Sequence, residues 1–140
     1  MAWLLDTNIW IRHLKEPGGP IEQRINRTRP ADLRLCSVVK AELWHGAHKY
    51  ERRERRLAAL AAVFNHLTSL PFDDAAARHY ADIRHQLESQ GQRIGPNDLQ
   101  IAAICRAHGL TLVSTNTSEF GRVPDLRVED WTQPLPTTTK

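Results

Sequence analysis

The sequence predicts an α/β protein, a three-layer α/β/α sandwich around a mainly parallel central sheet. Three observations lead there. Short apolar runs suited to strands alternate with helix-like segments from Trp3 to Val128, the pattern of a parallel sheet covered by helices. Polar stretches that include a carboxylate follow or border several of those runs, where open α/β sheets collect their ligands. At 140 residues the chain is also long enough to cover both faces of one sheet.

Trp3-Leu4-Leu5 reads as the first strand, and Asp6-Thr7-Asn8 follows it at once. Ile9 to Lys15 reads as a short helix that Pro17-Gly18-Gly19-Pro20 ends. Ile21 and Ile25 mark a second short helix, and the alternation in Leu33-Arg34-Leu35-Cys36 marks a second strand. Ser37 is then expected to cap a third helix with an apolar stripe through Val39, Leu43, Gly46 or Ala47, and Tyr50. Glu51 to Arg56 opens an Ala-rich helix running from Leu57 to Leu67. Thr68-Ser69-Leu70 is expected as a short strand. Asp73 or Asp74 starts a long helix to about Gln90, its faces traced by Ala77, Tyr80 or Ala81, Arg84 and Leu87, and Gly91 stops it. Asn97 is expected to cap the next helix, which His108-Gly109 closes. Leu110 to Val113 reads as a strand, and Leu126-Arg127-Val128 as a final edge strand. No repeat or linker divides residues 1–132, read as one domain; residues 133–140, rich in Pro and Thr, are expected to be a disordered tail.

Composition narrows the function. Lys and Arg outnumber Asp and Glu by 19 to 16, a mildly basic balance compatible with a nucleic-acid partner. No apolar run approaches the roughly 20 residues that span a bilayer, and the N-terminus lacks the pattern of a signal peptide, so no membrane association and a cytoplasmic location are expected. Cys36 and Cys105 have apolar neighbours and no C-x-x-C spacing, so they read as buried thiols in a reducing compartment. His45 and His48 lie three apart without a third ligand nearby and read as surface residues.

The carboxylates carry the chemistry. Either Asp6 or Asn8 caps the first helix, or Asp6 stands at a strand end for a function. Glu42 falls three residues after Val39 and four after Val38, bordering the buried face of its helix. Asp98 lies three, four and seven residues before Ile101, Ala102 and Cys105, so it shares the core-facing side of its helix. An acid that merely balances a helix dipole has no reason to face inward. A metal ligand does. Ser114 to Glu119 supplies a further polar stretch after a strand. Gathered carboxylates raise one another's pKa and cost stability, and an oxygen-bound divalent cation is the usual remedy. Two such ions roughly 3.5–4 Å apart make the arrangement that cleaves phosphodiesters. Separately, Lys49, Arg52, Arg53, Arg55 and Arg56 face only Glu51 and Glu54. That run is either a solvated face with ion pairs along the helix or a patch for a nucleic-acid backbone.

These motifs resemble those of PIN-domain ribonucleases, specifically the VapC-type toxins of bacterial toxin–antitoxin pairs. The likeness is carried by Leu-Leu-Asp6-Thr-Asn8, by Ser37-Val-Val-Lys-Ala-Glu42-Leu with Gly46, and by Gly95-Pro96-Asn97-Asp98. It continues through Ser114-Thr-Asn116-Thr-Ser-Glu119-Phe120, Val123-Pro124 and Glu129-Asp130-Trp131. It therefore spans nearly the whole chain, in order. The resemblance implies an endoribonuclease dependent on Mg²⁺, or Mn²⁺, whose nearest-looking members cut a transfer-RNA anticodon loop. It implies Asp6, Glu42 and Asp98 as the metal-binding acids, with a hydroxyl at Ser114 steadying the site; Thr7 and Asn8 are expected to hold Asp6 in place, and Asn116 to support the site. Asn116 stands where many members carry a carboxylate, which leaves Glu119 as the fourth catalytic acid. One firmly held ion, with a second recruited by substrate, is the corresponding expectation. The family further implies a homodimer, held inactive by a small VapB-type antitoxin through which alone promoter DNA is bound. Two rival expectations remain: a non-catalytic nucleic-acid-binding regulator on the same fold, and a structure-specific DNA nuclease.

Overall fold

A computed structural model describes residues 1–134; beyond residue 134 the expected disordered tail lies outside the described residues. Five strands form one sheet in the order β3-β2-β1-β4-β5. They are β1 (Trp3–Leu5), β2 (Leu33–Cys36), β3 (Thr68–Leu70), β4 (Thr111–Val113) and β5 (Val128–Glu129), and every pairing is parallel. The helices are α1 (Thr7–Lys15), α2 (Pro20–Arg27), α3 (Ser37–Ala47), α4 (Arg53–Phe64), α5 (Asp74–Ser89), α6 (Pro96–His108) and the single turn α7 (Thr117–Phe120). The chain steps from β1 to β2 to β3 in one direction and then returns across β1 to β4. Right-handed crossovers therefore put α1 to α4 on one face and α5 and α6 on the other, giving the expected three layers.

The core explains the short strands. Leu4, Leu5, Leu35, Leu112 and Val113 have no exposed surface, as a sheet covered on both sides requires. Helix α6 buries Leu99 and the run Ile101 to Cys105, so it is apolar around much of its circumference and runs through the interior. Cys36 and Cys105 are buried free thiols, as expected.

Several local expectations shift by a residue or a turn. Ser37 does not cap α3: β2 runs straight into the helix, so Cys36 takes the cap position without a side-chain bond and Ser37 is the first helical residue. Asn97 does not cap α6 either. Pro96 fills the first helical position, as its fixed φ and missing N–H favour, leaving Gly95 at the cap. Helix α3 ends at Ala47, so Tyr50 sits in the following turn, exposed, and does not extend the stripe of Val39, Leu43 and Ala47. On α5 the buried stripe is Ala76, Ile83 and Leu87 with half-buried Tyr80; Ala77 and Arg84 face solvent. Asp73, one of the two residues expected there, does cap α5, accepting a 3.0 Å bond from the Ala76 N–H.

Candidate active site

The strand order reverses around β1 and β4, the crevice position where open α/β sheets bind ligands. Leu5 pairs with Val113, and the Asp6 N–H continues the ladder with a 3.0 Å bond to the Val113 carbonyl. Asp6 and Ser114 are therefore the first residues past two neighbouring strand ends. Both are buried, Asp6 at 5% exposure and Ser114 at zero. Asp6 also caps α1, its Oδ1 accepting from the Ile9 N–H at 3.0 Å. Capping and site placement are thus properties of one side chain, and the cap is Asp6, not Asn8. Asn8 is exposed, and it supports Asp6 through its backbone N–H.

Glu42 projects from α3, half-buried at the border of its apolar stripe. Thr7 holds it: the Thr7 hydroxyl donates to Glu42 Oε1 at 2.6 Å. Expected to steady Asp6, Thr7 instead orients the neighbouring acid. Glu119 is held similarly on α7, with Asn116 Nδ2 donating to its Oε2 at 2.8 Å. The Ser114 Oγ in turn accepts from the Asn116 N–H at 3.0 Å, fixing the turn that presents α7. Asp98 stands in the first turn of α6, half-buried.

The electrostatics tie these acids together. Burial raises the Asp6 pKa above its usual value; the Ser114 hydroxyl and the Ile9 and Asn8 amides pull it back, and Glu42 pushes it further up. Asp98 is pushed up to about 6, first by burial and then by the charges of Asp6, Glu42 and Glu119. All four acids named from the sequence therefore share one field, although they come from the cap of α1 and from α3, α6 and α7. Unlike charge is the remedy such a field calls for.

Among the described residues, no three acidic, imidazole or thiol side chains stand close enough to cage an ion unaided. The acids offer oxygen donors without closing a cage. That suits Mg²⁺, which takes one or two carboxylates and completes its shell with water and substrate phosphate. The donor set, all carboxylate, amide and hydroxyl oxygen, excludes a soft thiolate or imidazole site.

Of the four acids, only Glu42 shares a groove with the basic run. Lys49 and Arg52 occupy the turn before α4, and Arg53, Arg55 and Arg56 its first turns. None of the five forms an ion pair among the described residues, so the alternative of pairing along the helix is not what the chain adopts. A groove of about 690 Å³ between α1, α3 and α4 reaches this run, lined by Lys49, Arg55 and Arg56 and also by Glu42. Lys15, at the end of α1, lines it too. Sequence reasoning had not singled it out, although a cation in a last helical turn was visible there.

The PIN domain family model matches residues 3–126, and the match takes in all four acids. A tRNA(fMet)-specific endonuclease VapC of Shigella flexneri is 39% identical over 94% of this chain and 98% of its own length. The chain belongs to the VapC ribonucleases of the PIN-domain family. A ribonuclease VapC2 of Haemophilus influenzae is 40% identical over the same shares. Among solved structures, a DNA-bound VapBC of Salmonella typhimurium is similar at a TM-score of 0.88 and 35% identity, covering 94% of this chain and 98% of that one. VapBC2 of Rickettsia felis, bound to a promoter DNA fragment, is similar at 0.85 and 30%, covering 94% and 99%. The all-parallel sheet with helices on both faces is thus the PIN architecture of these VapC chains. Among the described residues no helix is long and apolar enough to cross a membrane.

Proposed function

We propose that this PIN-domain chain is the toxin of a type II toxin–antitoxin pair, an Mg²⁺-dependent endoribonuclease that hydrolyses RNA phosphodiester bonds. The observation that carries the reading is Asp98, pushed up to about 6 first by burial and then by the charges of Asp6, Glu42 and Glu119. Four acids held together in one crevice destabilise the fold unless a cation joins them. Mn²⁺ satisfies the same donors.

Asp6, Asp98 and Glu42 would hold the ion, together with water and substrate phosphate, and Glu119 acts on the same site through the charge it exerts on Asp98. When bound, the cation supplies charge neutralisation at the scissile phosphate and makes an attacking water more acidic. The chain's own residues do the remaining work. Asp6, fixed by its backbone ladder and cap, gives the site a rigid centre. Thr7 and Asn116 aim the carboxylates of Glu42 and Glu119, leaving each a free oxygen. Ser114 lowers the Asp6 pKa toward the charged form that a cation needs.

The transfer-RNA target is supported by the relative named a tRNA(fMet)-specific endonuclease, and we place the cut in an anticodon loop, since single-stranded loops expose their bases. The VapBC structures support a VapB-type antitoxin as partner and promoter DNA reached through it. The test is direct. Expressed without antitoxin, the wild type is expected to arrest growth and cut RNA in vitro with Mg²⁺, whereas EDTA, Asp6→Asn or Asp98→Asn removes both effects. Sequencing RNA 5′ ends after brief induction, against Asp98→Asn, locates the cut. Continued growth arrest by either Asn variant would overturn the carboxylate mechanism, and cleavage of flap DNA in place of RNA would overturn the substrate.

A further inference from the structure

Tyr50 is a tyrosine left 40% exposed in the turn between α3 and α4. The Arg56 guanidinium lies over its ring, 3.7 Å from the centroid. Both line the groove whose wall includes Glu42, and Lys15, Lys49 and Arg55 line it as well. Of the four acids, Glu42 alone reaches this groove. The cations are free of ion pairs among the described residues, so no carboxylate of the chain already occupies them.

We infer that the Tyr50–Arg56 pair is a stacking platform for an unpaired base of single-stranded RNA, in the same groove that Glu42 of the acid site enters. The inference rests on the ribonuclease reading above and adds a subsite to it. A strand whose reacting phosphate sits at the acids must leave the site, and this groove joins Glu42 to cations that form no ion pair among the described residues. Lys15, Lys49 and Arg55 neutralise its phosphates. The stacked pair offers a flat π surface with a cation upon it, the combination that holds bases without reading their sequence. The apolar floor of Leu43 and Leu60 suits base faces and repels none of them. A guanidinium already stacked on the ring loses little freedom when a base joins the stack.

The full chain, purified free of partner, is tested in EDTA so that nothing is cleaved. Its binding to a fluorescein-labelled single-stranded oligoribonucleotide is compared with that of an equally long strand bearing abasic riboses. Tyr50→Ala is expected to weaken binding of the base-bearing strand about tenfold and to leave the abasic strand unaffected, while Tyr50→Phe binds as the wild type does. Lys49→Gln weakens both strands and lowers the salt dependence of each. Arg56→Gln weakens the base-bearing strand more than the abasic one. If wild type binds and cleaves RNA but Tyr50→Ala and Arg56→Gln treat the two strands as wild type does, the platform is wrong and the ribonuclease stands. If wild type neither binds nor cleaves RNA, the ribonuclease reading itself fails. Loss of binding to a labelled poly-glutamate peptide by Tyr50→Ala, with RNA binding intact, would make the groove a protein dock and also overturn the platform.

Discussion

The Thr7 hydroxyl donates a 2.6 Å hydrogen bond to Glu42 Oε1 across 35 residues of sequence. It links the first turn of α1 to the middle of α3 at the edge of the acid cluster. A hydrogen bond to a charged group contributes about 1.5–3 kcal/mol, enough to fix one rotamer of a half-exposed glutamate. Thr7→Val keeps the shape and removes the donor. Cleavage is expected to fall by about tenfold to a hundredfold while the thermal midpoint stays close to wild type, and Thr7→Ser is expected to recover most of the activity. Steady-state kinetics on RNA beside a melting curve checks it. Equal losses in the Val and Ser variants would show that Thr7 acts only by packing.

Asp98 sets function against stability. Its charge is opposed by burial and by Asp6, Glu42 and Glu119, so neutralising it removes repulsion. Asp98→Asn is expected to abolish cleavage and, in EDTA, to raise the melting temperature by a few degrees, about what 1 kcal/mol gives in a domain of this size. A variant less stable than wild type without metal would contradict the repulsion described here.

The same field fixes a pH dependence. Unfolded, the Asp98 carboxyl titrates at the usual aspartate value of 3.8; folded, it is pushed up to about 6. Between those values the folded chain binds more protons, so metal-free stability is greatest at the acid end and falls as pH rises through the window. Asp6, also raised by burial, acts in the same direction. Unfolding in EDTA from about pH 4 to 7 should therefore show a decline that Asp98→Asn reduces. Added Mg²⁺ should stabilise most at neutral pH, where it displaces no proton. A rise in metal-free stability across that interval would reverse the sign and refute the assignment.

Trp131 anchors the last strand although it lies beyond the family match. It is 2% exposed, its indole N–H donates to Glu129 Oε1 at 3.0 Å, and its ring packs on Trp3 at 6.1 Å between centroids. Arg24 of α2 stands over the same ring at 5.4 Å. Trp131→Ala is expected to cost about 3–5 kcal/mol, measured by urea denaturation, and to loosen β5 beside Ser114.

Much of this was legible in the sequence because each informative residue had a local signature. Asp6 ended an apolar run, Glu42 bordered a stripe, and Asp98 shared its face with Ile101 and Cys105. Those relations depend on strand ends and helical period, which a linear chain displays. The pairing of Thr7 with Glu42 was not visible, since nothing local brings α1 against α3. The caps of α3 and α6 were missed for a different reason. A good capping residue stood too late in each, Ser37 by one place behind a strand that ran straight into its helix and Asn97 by two behind a proline that fixed the helix start. The apolar periodicity of α3 continues to Tyr50, past Ala47 where the helix stops, so the exposure of Tyr50 in the turn is visible only in three dimensions.

The bond from the Ile9 N–H to Asp6 Oδ1 bears on how such a protein can be silenced. Asparagine caps a helix about as well as aspartate, so Asp6→Asn keeps the entry into α1 while removing the charge at the centre of the site. Under the proposed function, a cell can therefore disarm its toxin with one nucleotide change and still make a folded protein. That inert copy would continue to occupy antitoxin, leaving less to restrain any active copies beside it.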